Sequence, residues 1–334
     1  MIFVDGTPFH SSSSSSEGRE ILTALLEHPI LVSASESFKT IPEKKISLAG
    51  EFGLEKDSQT KHIYVFQREY ATVDPAFVEV IGTDEATTCV GLVIRNPRNG
   101  MTSVAHIDSP RVVDLGLTQI LPLIIDQNPD AQLDLQDNDI MVGSQSQAEI
   151  KGYSFPLCSK IIEALQRRQE SFHLQTLCVL GHNTERDSDG NAYPAFNGLL
   201  VETLTGLVMP ASFDRGSRCP DEIVRRIRVT VSSGDPRWKG KLLETYDTHR
   251  DRFQIAACSW NPGWKHHALS LQQLSDSEIL LGCSTSPLAE GPEFVDNERR
   301  LFNYLVQHPD WRDTFPMRKS RVFKRRDDGS WITG

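Results

Sequence analysis

The sequence predicts an α+β fold with mostly antiparallel sheets, and three observations carry that reading. Stretches rich in β-branched and aromatic residues recur along the chain and alternate with polar positions. An Asn-Gly turn folds two of them back on each other. Apolar residues at helical spacing mark separate segments near 18–29, 154–169 and 297–309.

The elements follow in order. "GREILTALLEHP" (18–29) places Ile21, Leu22, Leu25 and Leu26 on one helical face, stopped by His28-Pro29. "KHIYVFQREYATV" (61–73) reads as one strand, and "AFVEVIG" (76–82) as a second that leads into a polar loop. "CVGLVIRN" (89–96) is a third, "PRNG" (97–100) the turn, and "MTSVAHID" (101–108) the antiparallel return. "GLTQILPLIIDQ" (116–127) is open between helix and strand, and "DIMVGSQ" (139–145) reads as a short strand. "SFPLCSKIIEALQRRQ" (154–169) has helical spacing at Cys158, Ile161, Ile162 and Leu165. "HLQTLCVLGHN" (173–183) is a strand, and "FNGLLVETLTGLVMPASF" (196–213) a pair joined at "TLTG". "DEIVRRIRVTV" (221–231) is a helix capped by Asp221, and "RFQIAACSWNPG" (252–263) a strand ending in a turn. "NERRLFNYLVQHP" (297–309) is an amphipathic helix, and "RVFKRRDDGSWI" (321–332) a hairpin about Asp328-Gly329. No stretch reads as a linker, so residues 1–334 are taken as one domain with a low-complexity serine loop at 11–16.

Bulk properties narrow the function. With 38% hydrophobic and 24% charged residues among 334, the composition is that of a soluble globular protein. A net charge of −10 argues against a nucleic-acid partner, and the basic run "RKSRVFKRR" (318–326) reads as a solvated edge. No apolar run approaches the ~20 residues a bilayer requires, so no membrane role is expected. Six cysteines without a CxxC pair give neither a zinc signature nor a disulfide framework. No secretory signal is visible, and a cytosolic or nuclear chain with reduced thiols is expected. His266-His267 has no acid or cysteine at ligand spacing and reads as a surface pair, so no metal and no cofactor is expected.

One constellation stands out. Cys89 starts a strand and His106 lies near the end of the next, so the Asn-Gly turn brings both to the same end of the ribbon, nearly opposite in register. Opposed Cβ atoms lie ~5 Å apart, within reach of a thiolate–imidazolium pair. A neighbouring imidazolium activates a thiol as nucleophile, and a histidine can protonate a poor leaving group such as ammonia. Thr83, six positions before Cys89, can orient the ring, and N–H groups of the "ATTC" turn can form an oxyanion hole. The spacing alone also fits a small core cysteine beside an unrelated histidine.

The segments "YVFQREYATV", "GTDEATTC", "RNGMTSVAHID", "FHLQTLCV", "MPASFDRG", "CSWNP" and "STSPLAEGPEFV" resemble, in order, the protein N-terminal asparagine amidohydrolases of the eukaryotic N-degron pathway. A more distant likeness links Thr83, Cys89 and "AHIDSP" to bacterial chemoreceptor glutamine deamidases. The first 60 residues track the family less closely. The resemblance implies a layered α-β-β sandwich and a cofactor-free amidohydrolase with Cys89 as nucleophile and His106 and Thr83 as partners. It implies hydrolysis of the side-chain amide of N-terminal asparagine to aspartate and ammonia, through a thioester. The product would feed arginylation, which makes proteins with a free N-terminal Asn the substrates and arginyl transferase and glutamine amidohydrolase possible neighbours. Such a site needs an acid for the substrate's α-ammonium, for which Asp84, Glu85, Asp108 and Glu69 are candidates. Thr88 beside the nucleophile and Ser286 in "CSTSPLAEGPEF" (283–294) are read as pocket-lining. A glutamine side-chain deamidase, or a non-catalytic module that reads protein N-termini, remains the alternative.

Overall fold

In the larger of two main sheets the strands run β15 (Leu243–Glu244), β5 (Glu69–Val73), β8 (Thr102–Ile107), β7 (Val90–Arg95), β9 (Leu133–Asp139), β10 (Phe172–Cys178), β1 (Ile2–Val4) and β2 (Thr7–Pro8). The second runs β3 (Lys44–Ile46), β14 (Val208–Phe213), β13 (Leu199–Glu202), β6 (Val80–Thr83) and β4 (His62–Tyr64). A third joins β16 (Tyr246–Asp247), β17 (Arg252–Ile255), β18 (Arg321–Arg325) and β19 (Trp331–Thr333), and β11 (Thr184–Arg186) pairs with β12 (Ala192–Pro194). This computed structural model describes residues 1–9, 18–47, 60–124, 133–139, 154–190, 192–232 and 236–334. Among them the fold is α+β, and antiparallel pairings outnumber parallel ones ten to five.

Among the described residues nine α-helices accompany these sheets: α1 (Gly18–Leu26), α2 (Pro29–Lys39), α3 (Val113–Ile124), α4 (Ser154–Gln166), α5 (Glu222–Ser232), α6 (Trp264–Gln272), α7 (Asp276–Cys283), α8 (Phe294–Gln307) and α9 (Trp311–Thr314). The period-2 rule sorts β7 between two cores. Val90, Leu92 and Ile94 belong to an apolar cluster with α1, α3 and α4. Cys89 and Val93 belong to another, shared with Ile81 of β6, Leu199 and Val201 of β13 and apolar residues of α5 and α8. On β8 the same alternation puts Ala105 and Ile107 in the first cluster and Val104 in the second. His106 therefore faces the second cluster, as Cys89 does.

The hairpin forms as the sequence predicts, with Gly100 at φ 75° in its turn. The stretch 61–73 departs from expectation. It is not one strand but two, β4 and β5, in different sheets. The break falls at Arg68, which takes φ 62° and donates its N–H to the His106 carbonyl at 2.8 Å. Asp221 does not cap α5 through its side chain, because its carboxylate pairs with Arg321. Arg325 of the basic run is not a solvated edge either: it pairs with Asp251 at 3.2 Å and stacks 4.2 Å from the Trp331 ring. The open stretch 116–127 is helical through Ile124. "DIMVGSQ" beyond Asp139 and the serine run 11–16 lie outside the described residues.

Candidate active site

The six-residue interval from Thr83 to Cys89 is a crossing between sheets. Thr83 ends β6 in the five-stranded sheet, and Cys89 immediately precedes β7 in the eight-stranded one. The two sheets are joined by a hydrogen bond of 2.7 Å between Thr83 Oγ1 and His106 Nδ1, both residues being buried. That bond leaves Nε2 as the imidazole's outward nitrogen, and Nε2 is buried with no hydrogen-bond partner among the described residues.

The hairpin register is two positions from the one the spacing suggests. His106 faces Gly91, and the last assigned pair is Val90 with Ile107. Cys89 is therefore the diagonal neighbour of His106 on the same face, where Cβ atoms stand somewhat under 7–8 Å apart rather than ~5 Å. Gly91, opposite the ring, adds no side chain of its own to that face. The thiol is thus within side-chain reach of the imidazole, although no hydrogen bond joins it to Nε2. Burial also pushes the His106 pKa down to about 4, against Asp108, Glu85 and Glu69, which pull it up. The ring is neutral near pH 7, unlike the expected imidazolium.

The loop that presents Cys89 is tied at every residue. Asp84 accepts the Tyr64 hydroxyl at 2.6 Å, the Phe213 N–H at 2.7 Å and Arg218 at 3.1 Å. Burial still raises its carboxyl to about 6, Arg218 opposing and Glu85 adding to the shift. Gly198 packs so closely that a Cβ there would lie 2.5 Å from Asp84 Cβ and 2.7 Å from the Thr83 carbonyl oxygen. Glu85 occupies the left-handed region at φ 58°, which costs an L-residue of order 1–3 kcal/mol. It is held there by Arg218 at 2.7 Å, Arg226 at 2.9 Å and Asn297 at 3.3 Å. Burial pushes its carboxyl up, but Arg226 and Arg218 together bring it below the usual range. The Ala86 N–H donates to the Asn197 carbonyl at 3.1 Å, which removes it from any oxyanion hole. Thr87 Oγ1 accepts the Ser286 hydroxyl at 2.6 Å. The Thr88 carbonyl accepts Ser154 Oγ at 3.0 Å, and its hydroxyl meets that of Thr285 at 3.3 Å.

Ser286 and Thr88 thus lie together at the turn before Cys89, in contact with the loop that presents it. Glu69 lies elsewhere in chemical terms. It is fully buried beneath two fully buried arginines, Arg225 at 2.7 Å and Arg228 at 2.5 Å, and accepts the Phe66 N–H at 3.0 Å. Sequence reading missed these arginines, and Arg218, Arg226 and Asn297 with them. A faint signal exists: Arg225 and Arg228 sit within the stripe Val224, Ile227, Val231 that α5 buries. Cys158, Cys178 and Cys258 are buried, Trp260 packs in the core, and Cys219 and Cys283 are half-buried. His266 and His267 are exposed, and no metal-ligating group of His, Cys, Asp or Glu occurs among the described residues.

A thiol on a fixed turn, beside a neutral imidazole whose far nitrogen is set by a hydroxyl, is the equipment of thiol-dependent acyl transfer. The chemical class the site defines is a hydrolase of amides or esters. Residues 53–333 match the family described as protein N-terminal asparagine amidohydrolase, and the chain belongs to that family. It is 52% identical to the protein N-terminal asparagine amidohydrolase of Arabidopsis thaliana over 99% of both chains. Identity to the pig protein of the same name is 33%, covering 80% of this chain and 82% of that one. For the human protein it is 31%, over 80% and 83%.

Proposed function

We propose that this chain hydrolyses the side-chain amide of an N-terminal asparagine in proteins and peptides, giving N-terminal aspartate and ammonia. Cys89 is the nucleophile in this reading, His106 the acid–base group and Thr83 its positioning residue. In this mechanism Thr83 Oγ1 is assigned as the acceptor from Nδ1–H, the tautomer that leaves the lone pair on Nε2. Nε2 takes the thiol proton as sulfur bonds to the amide carbon. N–H groups of the Thr87–Cys89 turn stabilise the oxyanion. The imidazolium then gives its proton to the departing nitrogen as the C–N bond breaks, leaving a thioester and ammonia. Water, deprotonated by the same nitrogen, adds to the thioester; the C–S bond breaks and the proton returns to sulfur.

The observation that supports this most is the Thr83–His106 bond of 2.7 Å on the face that carries Cys89. The family name supports the substrate. The product, a new N-terminal carboxylate side chain, suits an arginyl transferase as the next enzyme, with a glutamine amidohydrolase acting in parallel. Six unbridged cysteines favour a reducing compartment, cytosolic or nuclear. Ammonia release from Asn-, Gln- and acetyl-Asn-headed peptides tests the assignment. Turnover of the free Asn peptide alone is expected, with a loss of at least ~10⁴-fold in kcat for Cys89→Ala. Equal turnover of the Gln peptide overturns the specificity, and a fully active Cys89→Ala overturns the mechanism.

A further inference from the structure

Three of the four acids that could take the substrate's α-ammonium have their oxygens occupied. Asp84 is held by Tyr64, Phe213 and Arg218, Glu69 by Arg225 and Arg228, and Glu85 by Arg218 and Arg226. Asp108 differs. Its Oδ2 takes Arg68 Nε at 2.9 Å, Arg68 Nη2 at 2.8 Å and Gln67 Nε2 at 3.2 Å. Its Oδ1 is buried with no hydrogen-bond partner among the described residues, on a side chain only 6% exposed.

The backbone says where that oxygen lies. Continuing the Val90–Ile107 pairing by one step sets Asp108 across from Cys89. Strand alternation gives residue 108 the face of Val104 and His106, and Asp108 is the strongest of the acids acting on that ring. Two buried atoms thus lack partners at one strand end, a carboxylate oxygen and the imidazole Nε2. An unpaired buried carboxylate oxygen is costly, and its natural complement is a cationic donor.

We infer that Asp108 Oδ1 accepts the substrate's α-ammonium, with Arg68 and Gln67 fixing the carboxylate from behind. The inference rests on the proposed substrate. It makes Asp108 the residue that distinguishes a free N-terminus from a blocked or internal asparagine. In an N-terminal asparagine the amide carbon lies three bonds from the α-nitrogen, a short span, matched by the single-step separation of Asp108 from Cys89 across the ribbon.

Binding in the inactive Cys89→Ala background isolates the effect from turnover. By calorimetry, adding Asp108→Asn is expected to weaken the free Asn-headed peptide about 30-fold, which is about 2 kcal/mol. The preference for the free over the acetylated peptide should shrink by the same factor. In the otherwise native enzyme Asp108→Asn should act mainly on KM. Asp108→Ser, which is smaller, serves if the amide variant does not fold. An undiminished preference for the free amine in a folded variant overturns the inference, and does so whether or not the wild type releases ammonia. A wild type that releases none, yet whose preference still depends on Asp108, sinks the proposed reaction and leaves the ammonium site standing.

Discussion

The loop before Cys89 and the strand end across from it use their polar groups in opposite ways. From Asp84 to Thr88 each residue is bonded to a different part of the chain: β4 and β14, the arginines near α5, the segment before β13, the 284–290 segment and the start of α4. At the end of β8, His106 Nε2 and Asp108 Oδ1 have no partner among the described residues. Buried polar atoms are nearly always satisfied, so a pair of exceptions beside a thiol marks where a ligand's polar groups belong. The contrast separates scaffold from site. The scaffold absorbs the backbone strain at Glu85, and the end of β8 keeps an unpartnered imidazole nitrogen and carboxylate oxygen on the face that carries Cys89.

The sharpest break of this contrast is on the scaffold side. Glu69→Ala leaves Arg225 and Arg228, both 0% exposed, without their shared carboxylate. Stranding a buried charge of this kind costs roughly 3–5 kcal/mol, so urea denaturation should show that loss. Asp108→Asn should cost far less stability while changing ligand preference. If the two variants lose the same stability, the division between scaffold and site fails.

The acid side of the stability curve comes next in size. His106 has a folded pKa near 4 against an ordinary 6.5, chiefly through burial. Between those values the unfolded chain binds the proton more tightly, so this contribution is present above pH 6.5 and is lost as pH falls toward 4. The wild-type stability minus that of His106→Gln should therefore fall by up to ~3 kcal/mol across that window. The acidic limb of kcat/KM should likewise lie nearer 4 than 6.5. A limb at 6.5 with a flat stability difference means the ring is hydrated or ion-paired, and not part of a dry, unsatisfied site.

What the sequence made legible was local. The alternation in 89–96 and 101–108, the Asn-Gly turn and the place of Thr83 all depend on neighbours within about twenty positions. The register slipped because spacing does not say which residues of "NPRNG" form the turn; Asn96 pairs with Met101 at 2.9 Å, and that choice moves Cys89 off His106. The split of 61–73 was hidden because alternation continues through a turn that Arg68 makes with a left-handed backbone. The roles of the acids were illegible for another reason. Glu69 and Glu85 look alike as exposed charges until arginines some 150 residues later are folded over them.

The smallest effect tests the edge of the comparison, where scaffold meets pocket. Ser286 was read as pocket-lining, yet its hydroxyl donates to Thr87 Oγ1 at 2.6 Å, and its own N–H is bonded to Ser284 Oγ at 2.9 Å. A neutral buried hydrogen bond contributes about 1 kcal/mol, so Ser286→Ala should lower stability by that much. If Ser286 only braces the turn, kcat falls a few-fold, KM for the Asn peptide holds, and the free-over-acetyl preference is untouched. If instead it touches substrate, KM rises by more than the stability loss accounts for. That result would move the boundary of the site from the β8 end across to the 284–290 segment.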